Sequence, residues 1–163
     1  MTITVEDGTG VEGANSYVSA AEARTYASAR GFTFNTNIER YLIKAMDYIE
    51  GKRSQFKGAK IDVTYPLQWP RTCVYIDGFA VGEDAIPTEL KQAQIRAAMA
   101  YQDGIDLMPT NTGAPFATMK KVGPIETRYS SGVRTSGVPT VRELDNLLAP
   151  LLRGGSMLSV ERA

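Results

Sequence analysis

The segment from Pro87 to Gly104, "PTELKQAQIRAAMAYQDG", constrains the fold more than any other stretch of the chain. Pro87 suits the first turn of a helix, Gly104 follows its end, and the residues between are strong helix formers. Leu90, Ala93, Ala97 and Tyr101 form one apolar stripe, while Ile95 and Met99 lie on another side. A helix with two apolar faces packs against more than one neighbour, so it belongs at the centre of a domain. The rest of the chain must supply those neighbours.

Three capping boxes mark them. Ser19 with Glu22 opens a helix that Gly31 closes, with Ala23, Tyr26 and Ala27 as its stripe. Thr36 with Glu39 opens a second, along which Ile38, Tyr41, Leu42, Ala45, Met46 and Ile49 recur at helical spacing until Gly51. Thr140 with Glu143 opens the last. There Val141, Leu144, Leu147, Leu148, Leu151 and Leu152 line one face over about 20 Å. "MKKVGPIETRYS" alternates after Lys120 and predicts a short β-hairpin around Gly123-Pro124.

The expected fold class is therefore mainly α: a small bundle of about four helices with a short β-hairpin and extended, flexible N- and C-terminal arms. Residues 1–15 form the N-terminal arm, where "TITV" has strand propensity and "EDGTGVEGAN" is turn-rich. Residues 16–136 form the helical domain, with the β element near 119–130. Residues 137–163 comprise a hinge, the amphipathic C-terminal helix and a tail. That helix can fold back to complete its own core or dock on another subunit or partner, since a Leu-rich helix in a groove is a common recognition mode.

Composition excludes much chemistry. At 163 residues the chain can bury roughly 70% of its unfolded surface without staples. It has no histidine and one cysteine. This removes the commonest general base, every Ser-His or Cys-His nucleophile pair, and the usual structural zinc sets. Eighteen basic and eighteen acidic residues cancel, so no global field gathers polyanions. No signal peptide or membrane span is visible, which predicts a soluble protein made in a reducing compartment.

Weak motifs add little. "GTGVEG" lacks the preceding strand and the Lys-Ser/Thr pair of a phosphate loop. Asp77, Glu83 and Asp84 do not match a calcium loop, and Asp103 with Asp106 reads as an end-of-helix turn. Cys73 reads as a structural, half-buried thiol. No nucleophile, base and oxyanion site assemble, so the expectation is a protein that is not an enzyme and needs no cofactor or metal.

Two segments remain. "GKRSQFKGAK" carries Lys52, Arg53, Lys57 and Lys60 with no acid between them, either as a solvated loop or as a phosphate-facing one. "PLQWPRTCVYIDGF" holds the chain's one Trp. Pro66 and Pro70 keep it extended, and Arg71 can stack on a ring or cap carbonyls. Trp69, Pro70 and Arg71 read as a structural connector whose ring plugs the space between the second and third helices; stacking of Trp69 on an unpaired base is the alternative.

The elements "VEDGTGVEGANSYVSAAEA", "LQWPR", "DAIPTELKQAQ" and "KKVGPIETRYS", in this order, resemble a group of small tailed-phage proteins encoded near the portal and head genes. That group often carries the label DnaT-like single-stranded-DNA-binding protein, and its helical architecture resembles that of head-to-tail adaptors. The resemblance implies a virion protein at the head-tail interface, made in the bacterial host cytoplasm. Its partners would be the portal, tail or connector proteins, further copies in a ring that is commonly twelve-membered, and packaged DNA; no membrane is implied. The docking helix would then use Val141, Leu144, Leu147, Leu148, Leu151 and Leu152. Lys52, Arg53, Lys57 and Lys60, or Lys120, Lys121 and Arg128, would face the DNA channel. The alternative is a single-stranded-DNA-binding replication accessory, which requires rings interleaved with cations.

Overall fold

The computed structural model describes residues 2–109, 119–122, 125–128 and 141–154. Among them, helices α1 (Ala20–Ser28), α2 (Ile38–Glu50), α3 (Thr88–Gln102) and α4 (Arg142–Leu148) carry the architecture. Single 3-10 turns follow at Arg53–Gln55 and Ala149–Leu151. Three antiparallel ribbons complete it: β1 (Ala59–Lys60) with β2 (Arg71–Thr72), β3 (Tyr75–Ile76) with β4 (Phe79–Ala80), and β5 (Met119–Val122) with β6 (Ile125–Arg128). The fold is mainly α with small sheets, and the hairpin expected at Gly123-Pro124 forms with Val122 opposite Ile125. The hinge segment 130–139 and the loop segment 110–118 lie outside the described residues.

Helix α3 is central: it touches α1, α2 and α4. Leu90, Ala93 and Ala97 on one stripe and Ile95 on another are all buried. Its one buried polar side chain, Gln94, is fully satisfied. Its Oε1 accepts from Tyr17 N at 2.9 Å, and its Nε2 donates to Ser16 Oγ at 2.8 Å and to Leu42 O at 3.0 Å. Gln94 thus clips the N-terminal segment and α2 to the same turn of α3, and a partly satisfied version of this network would be costly.

The helix starts divide. The Ser19–Glu22 capping box forms with both reciprocal bonds. The Thr36–Glu39 box does not: the N-cap is Asn37, without a side-chain bond. Asn35 Oδ1 accepts the Asn37 N–H at 2.8 Å, an Asx turn that leads into a helix starting one residue later than the box requires. In α4 the N-cap is Val141, Thr140 lies outside the described residues, and Glu143 pairs with Arg96 at 3.1 Å.

The C-terminal helix completes its own domain. Leu144, Leu148 and Leu151 are fully buried, and Val141, Leu147 and Leu152 pack against the same core. The chain then crosses the 55–58 loop as a strap. Lys57 N donates to Leu151 O at 2.9 Å, Arg153 N donates to Gln55 O at 2.7 Å, and Phe56 bridges Leu152. The face expected to dock on a partner is thus the face that packs on this chain's own core, with Leu144, Leu148 and Leu151 at its centre and Val141, Leu147 and Leu152 at its partly covered edge. The second apolar face of α3 needs cover, and α4 provides it from within the chain.

The N-terminal segment also folds back, through a Val5–Ser16 bridge and the Glu6 N–H to Ser16 O bond at 2.8 Å. Glu6 is fully buried, its Oε1 accepting the Gly8 and Gly10 N–H groups at 2.9 Å. Gly8 is obligatory: its φ is 109°, and a Cβ there would lie 1.7 Å from Asp84 O.

Candidate nucleic-acid interface

The site begins at Phe56. Gly51 ends α2, a 3-10 turn follows, and Phe56 drops into the core with no exposed surface. It meets the equally buried Trp69 edge-to-face, with ring centroids 5.9 Å apart. Trp69 is therefore a core plug and is closed to a base. Its backbone N–H donates to the Tyr17 hydroxyl at 3.1 Å; that hydroxyl donates to Glu50 Oε1 at 2.9 Å, and Gln68 N donates to the same oxygen at 3.2 Å. Burial, then the Glu50 charge, pushes the Tyr17 phenol well above its ordinary pKa; burial likewise raises Glu50 against the lowering effect of these hydrogen bonds.

Anchoring Phe56 pins the basic stretch to the surface on either side. Arg53 is exposed, and Lys52, Lys57 and Lys60 are half-buried. Gly58 lets the chain turn close to β2: its φ is 67°, and a Cβ would sit 2.1 Å from Thr72 O. Two guanidiniums from distant parts of the sequence hold this loop. Arg71, buried, donates from Nε to Lys57 O at 2.7 Å and from Nη2 to Gly58 O at 3.1 Å. Arg153, exposed at the end of the strap, donates from Nε to Phe56 O at 3.0 Å and from Nη2 to the same Gly58 O at 3.3 Å. Burial, reinforced by the Arg153 charge, holds the Arg71 pKa below its usual value. Positive charge is being concentrated here against its own repulsion, with carbonyl oxygens as the compensation.

Rings adjoin this charge. The β3–β4 ribbon is rooted by buried Val74, whose carbonyl accepts Val81 N at 2.9 Å, and closed by a two-residue turn. Asp77 and Gly78 there have φ of 53° and 86°, the two positive values that a twisted hairpin turn requires. Tyr75 and Phe79 project from it, 60% and 78% exposed. Lys57 Nζ donates to Tyr75 O at 3.4 Å, and Lys60 Nζ donates to Tyr65 O. Lys52 Nζ lies 4.8 Å from the Tyr48 ring centroid.

Lys52, Arg53, Lys57 and Lys60 thus stand on either side of the buried Phe56, Lys52 at the Tyr48 ring, Lys57 at the Tyr75 carbonyl and Lys60 at the Tyr65 carbonyl. Lys120 and Lys121 on β5 stand in register with Thr127 and Glu126 of β6, and Arg128 with Met119. Their side chains lie outside the described residues. Arg71 both caps carbonyls and lies 5.8 Å from the Phe56 ring, the two roles expected of it. Sequence reading missed Tyr65, Tyr75, Phe79 and Arg153. Cys73, expected half-buried, is exposed, because a φ of 57° at the bend into β3 turns it away from the core. No group of three or more His, Cys, Asp or Glu side chains able to hold a metal occurs among the described residues. No described helix is long and apolar enough to cross a membrane.

Such a surface can neutralise phosphates with its cations and offer ring faces to unpaired bases. No curated protein and no solved structure matches the chain. A family model, described as "Putative DnaT-like ssDNA binding protein", matches residues 1–163. The chain belongs to that DnaT-like family.

Proposed function

We propose that this protein is a non-catalytic binder of single-stranded DNA, and that the strand lies across the 52–60 loop and the β3–β4 ribbon. The observation that carries this reading is that the Lys57 and Lys60 ammonium groups are held at the backbone carbonyls of Tyr75 and Tyr65, which sets cations beside the ribbon that bears the exposed Tyr75 and Phe79 rings. Neither feature suffices alone. Cations without rings bind any polyanion, and rings without cations do not collect a charged strand. Family membership supports the same reading.

With a neutral chain and one local patch, the affinity is modest, insensitive to sequence and sensitive to salt. The test is fluorescence anisotropy of a labelled oligo(dT) strand with the wild type and with a combined Arg53→Ala, Lys57→Ala, Lys60→Ala variant. Binding by the wild type and at least tenfold weaker binding by the variant supports the reading. Equal binding by the two, or none by the wild type at low salt, overturns it.

A second reading is a head-to-tail adaptor: a ring subunit of the virion that contacts the portal, tail proteins and packaged DNA. It is supported by the sequence resemblance and by exposed apolar residues that suit protein contact, chiefly Val63 at 91% and Ile61 at 39%. In this case the same cations face the channel. Electron microscopy of the purified protein, alone and with a portal ring, tests it. Closed rings or portal-bound rings support it; a monomer in both samples, absent from purified virions, opposes it.

A further inference from the structure

Tyr75 and Phe79 lie close along one ribbon but do not share a face. Tyr75 stands opposite Ala80 and Phe79 opposite Ile76. Consecutive pairs in an antiparallel ribbon direct side chains to opposite faces. The ribbon therefore carries one exposed ring on each side, at the end of a turn only two residues long. Its root is fixed by buried Val74 and by the packing of Ile76 and Val81 against the core. The tip has no such cover. Phe79 shares its face with Ile76, which packs on the core, yet Phe79 itself reaches past that cover and is 78% exposed, while Tyr75 on the other face is 60% exposed.

Resting on the single-strand reading, we propose that the β3–β4 tip is an insertion finger. It enters between two unpaired bases separated along the strand, so that one stacks on Tyr75 and the other on Phe79. Charge complementarity fixes the strand's direction of approach: Lys57 is attached to the root of the finger at the Tyr75 carbonyl, so the phosphates pass on that side. Asp77 at the turn keeps them from the tip itself. The finger also supplies selectivity for single strands. A duplex accepts it only by unstacking its base pairs, whereas a flexible strand is already open.

The experiment uses Phe79→Trp in the full chain. Trp69 is fully buried, so the added indole is the solvent-exposed reporter. Oligo(dT) is titrated at low salt while indole emission and the anisotropy of the labelled strand are followed together. Expected are quenching of the added indole in step with anisotropy, weaker binding by about tenfold for Tyr75→Ala and for Phe79→Ala, and at least tenfold preference over a duplex of equal length. Anisotropy that rises with no quenching, and alanine variants that bind like the wild type, overturn the finger but leave the cationic reading standing. No anisotropy change for the wild type overturns the reading on which the finger rests.

Discussion

The hydroxyl of Tyr17 donates to Glu50 Oε1 at 2.9 Å and accepts the backbone N–H of Trp69 at 3.1 Å. One phenol thus joins the N-terminal segment, the end of α2 and the connector that seats the Trp69 ring. The Trp69 ring packs on Phe56 of the 52–60 loop, so the proposed binding surface rests on this network. Tyr17→Phe removes the donor and the acceptor together and leaves a buried N–H unpaired. It should cost about 1–3 kcal/mol in denaturant unfolding, with oligo(dT) affinity at low temperature within about twofold of the wild type if the fold is retained.

Glu50 should impose a pH dependence on stability. Its folded pKa is raised by burial, so the folded chain binds more protons than the unfolded chain between the ordinary carboxylate value of about 4.3 and the raised one. Stability contributed by this group is therefore present at acid pH and lost as pH rises through that window. Glu50→Gln keeps the Oε1 acceptor and removes the charge. Denaturation midpoints measured from pH 4 to pH 8 should fall less steeply for this variant than for the wild type; parallel curves would show that Glu50 ionises as freely as a surface carboxylate.

Trp69→Ala should destabilise the fold rather than remove an activity. The ring has no exposed surface and packs on Phe56, so truncation should cost about 3–5 kcal/mol. Melting and oligo(dT) binding on the same preparation separate the possibilities: unchanged melting with lost binding would place the ring at the ligand.

Truncation after Ser136 should prevent stable folding. It removes Leu144, Leu148 and Leu151 from the core, exposes the α3 face they cover, and deletes the strap hydrogen bonds to Lys57 and Gln55. Leu148→Ala alone should cost about 2–5 kcal/mol. A truncated chain with an undiminished melting temperature would return the helix to a docking role.

The helices were legible because their signals are local. The Pro87–Gly104 pattern, the Ser19–Glu22 box and the leucine stripe of α4 each lie within a few turns of sequence. The destination of that stripe was not legible, since an amphipathic face reads alike whether its own core or a partner covers it. Gln94 was missed for a related reason: glutamine within a helix reads as surface, and nothing nearby announces Ser16, Tyr17 and Leu42 as its partners. Trp69 was readable as a plug because prolines hold its segment extended. The proposed binding face was the least legible. Its cations come from residues 52–60, its rings from 65–79, and Arg153 from a strap almost a hundred residues away. The "DG" turn that builds the finger was present in the connector, but the exposure of Tyr75 and Phe79 follows only from the depth at which Val74 is buried.

The central claim is that cations of the 52–60 loop hold the phosphates of a single strand. It is tested most directly by the salt dependence of oligo(dT) affinity. Lys52, Arg53, Lys57 and Lys60, acting together on a single strand, predict a slope of log K against log salt of about −3. In the combined Arg53→Ala, Lys57→Ala, Lys60→Ala variant, the slope should shrink to about −1. A wild-type affinity that does not change with salt, or a slope that the triple substitution leaves intact, would contradict the account.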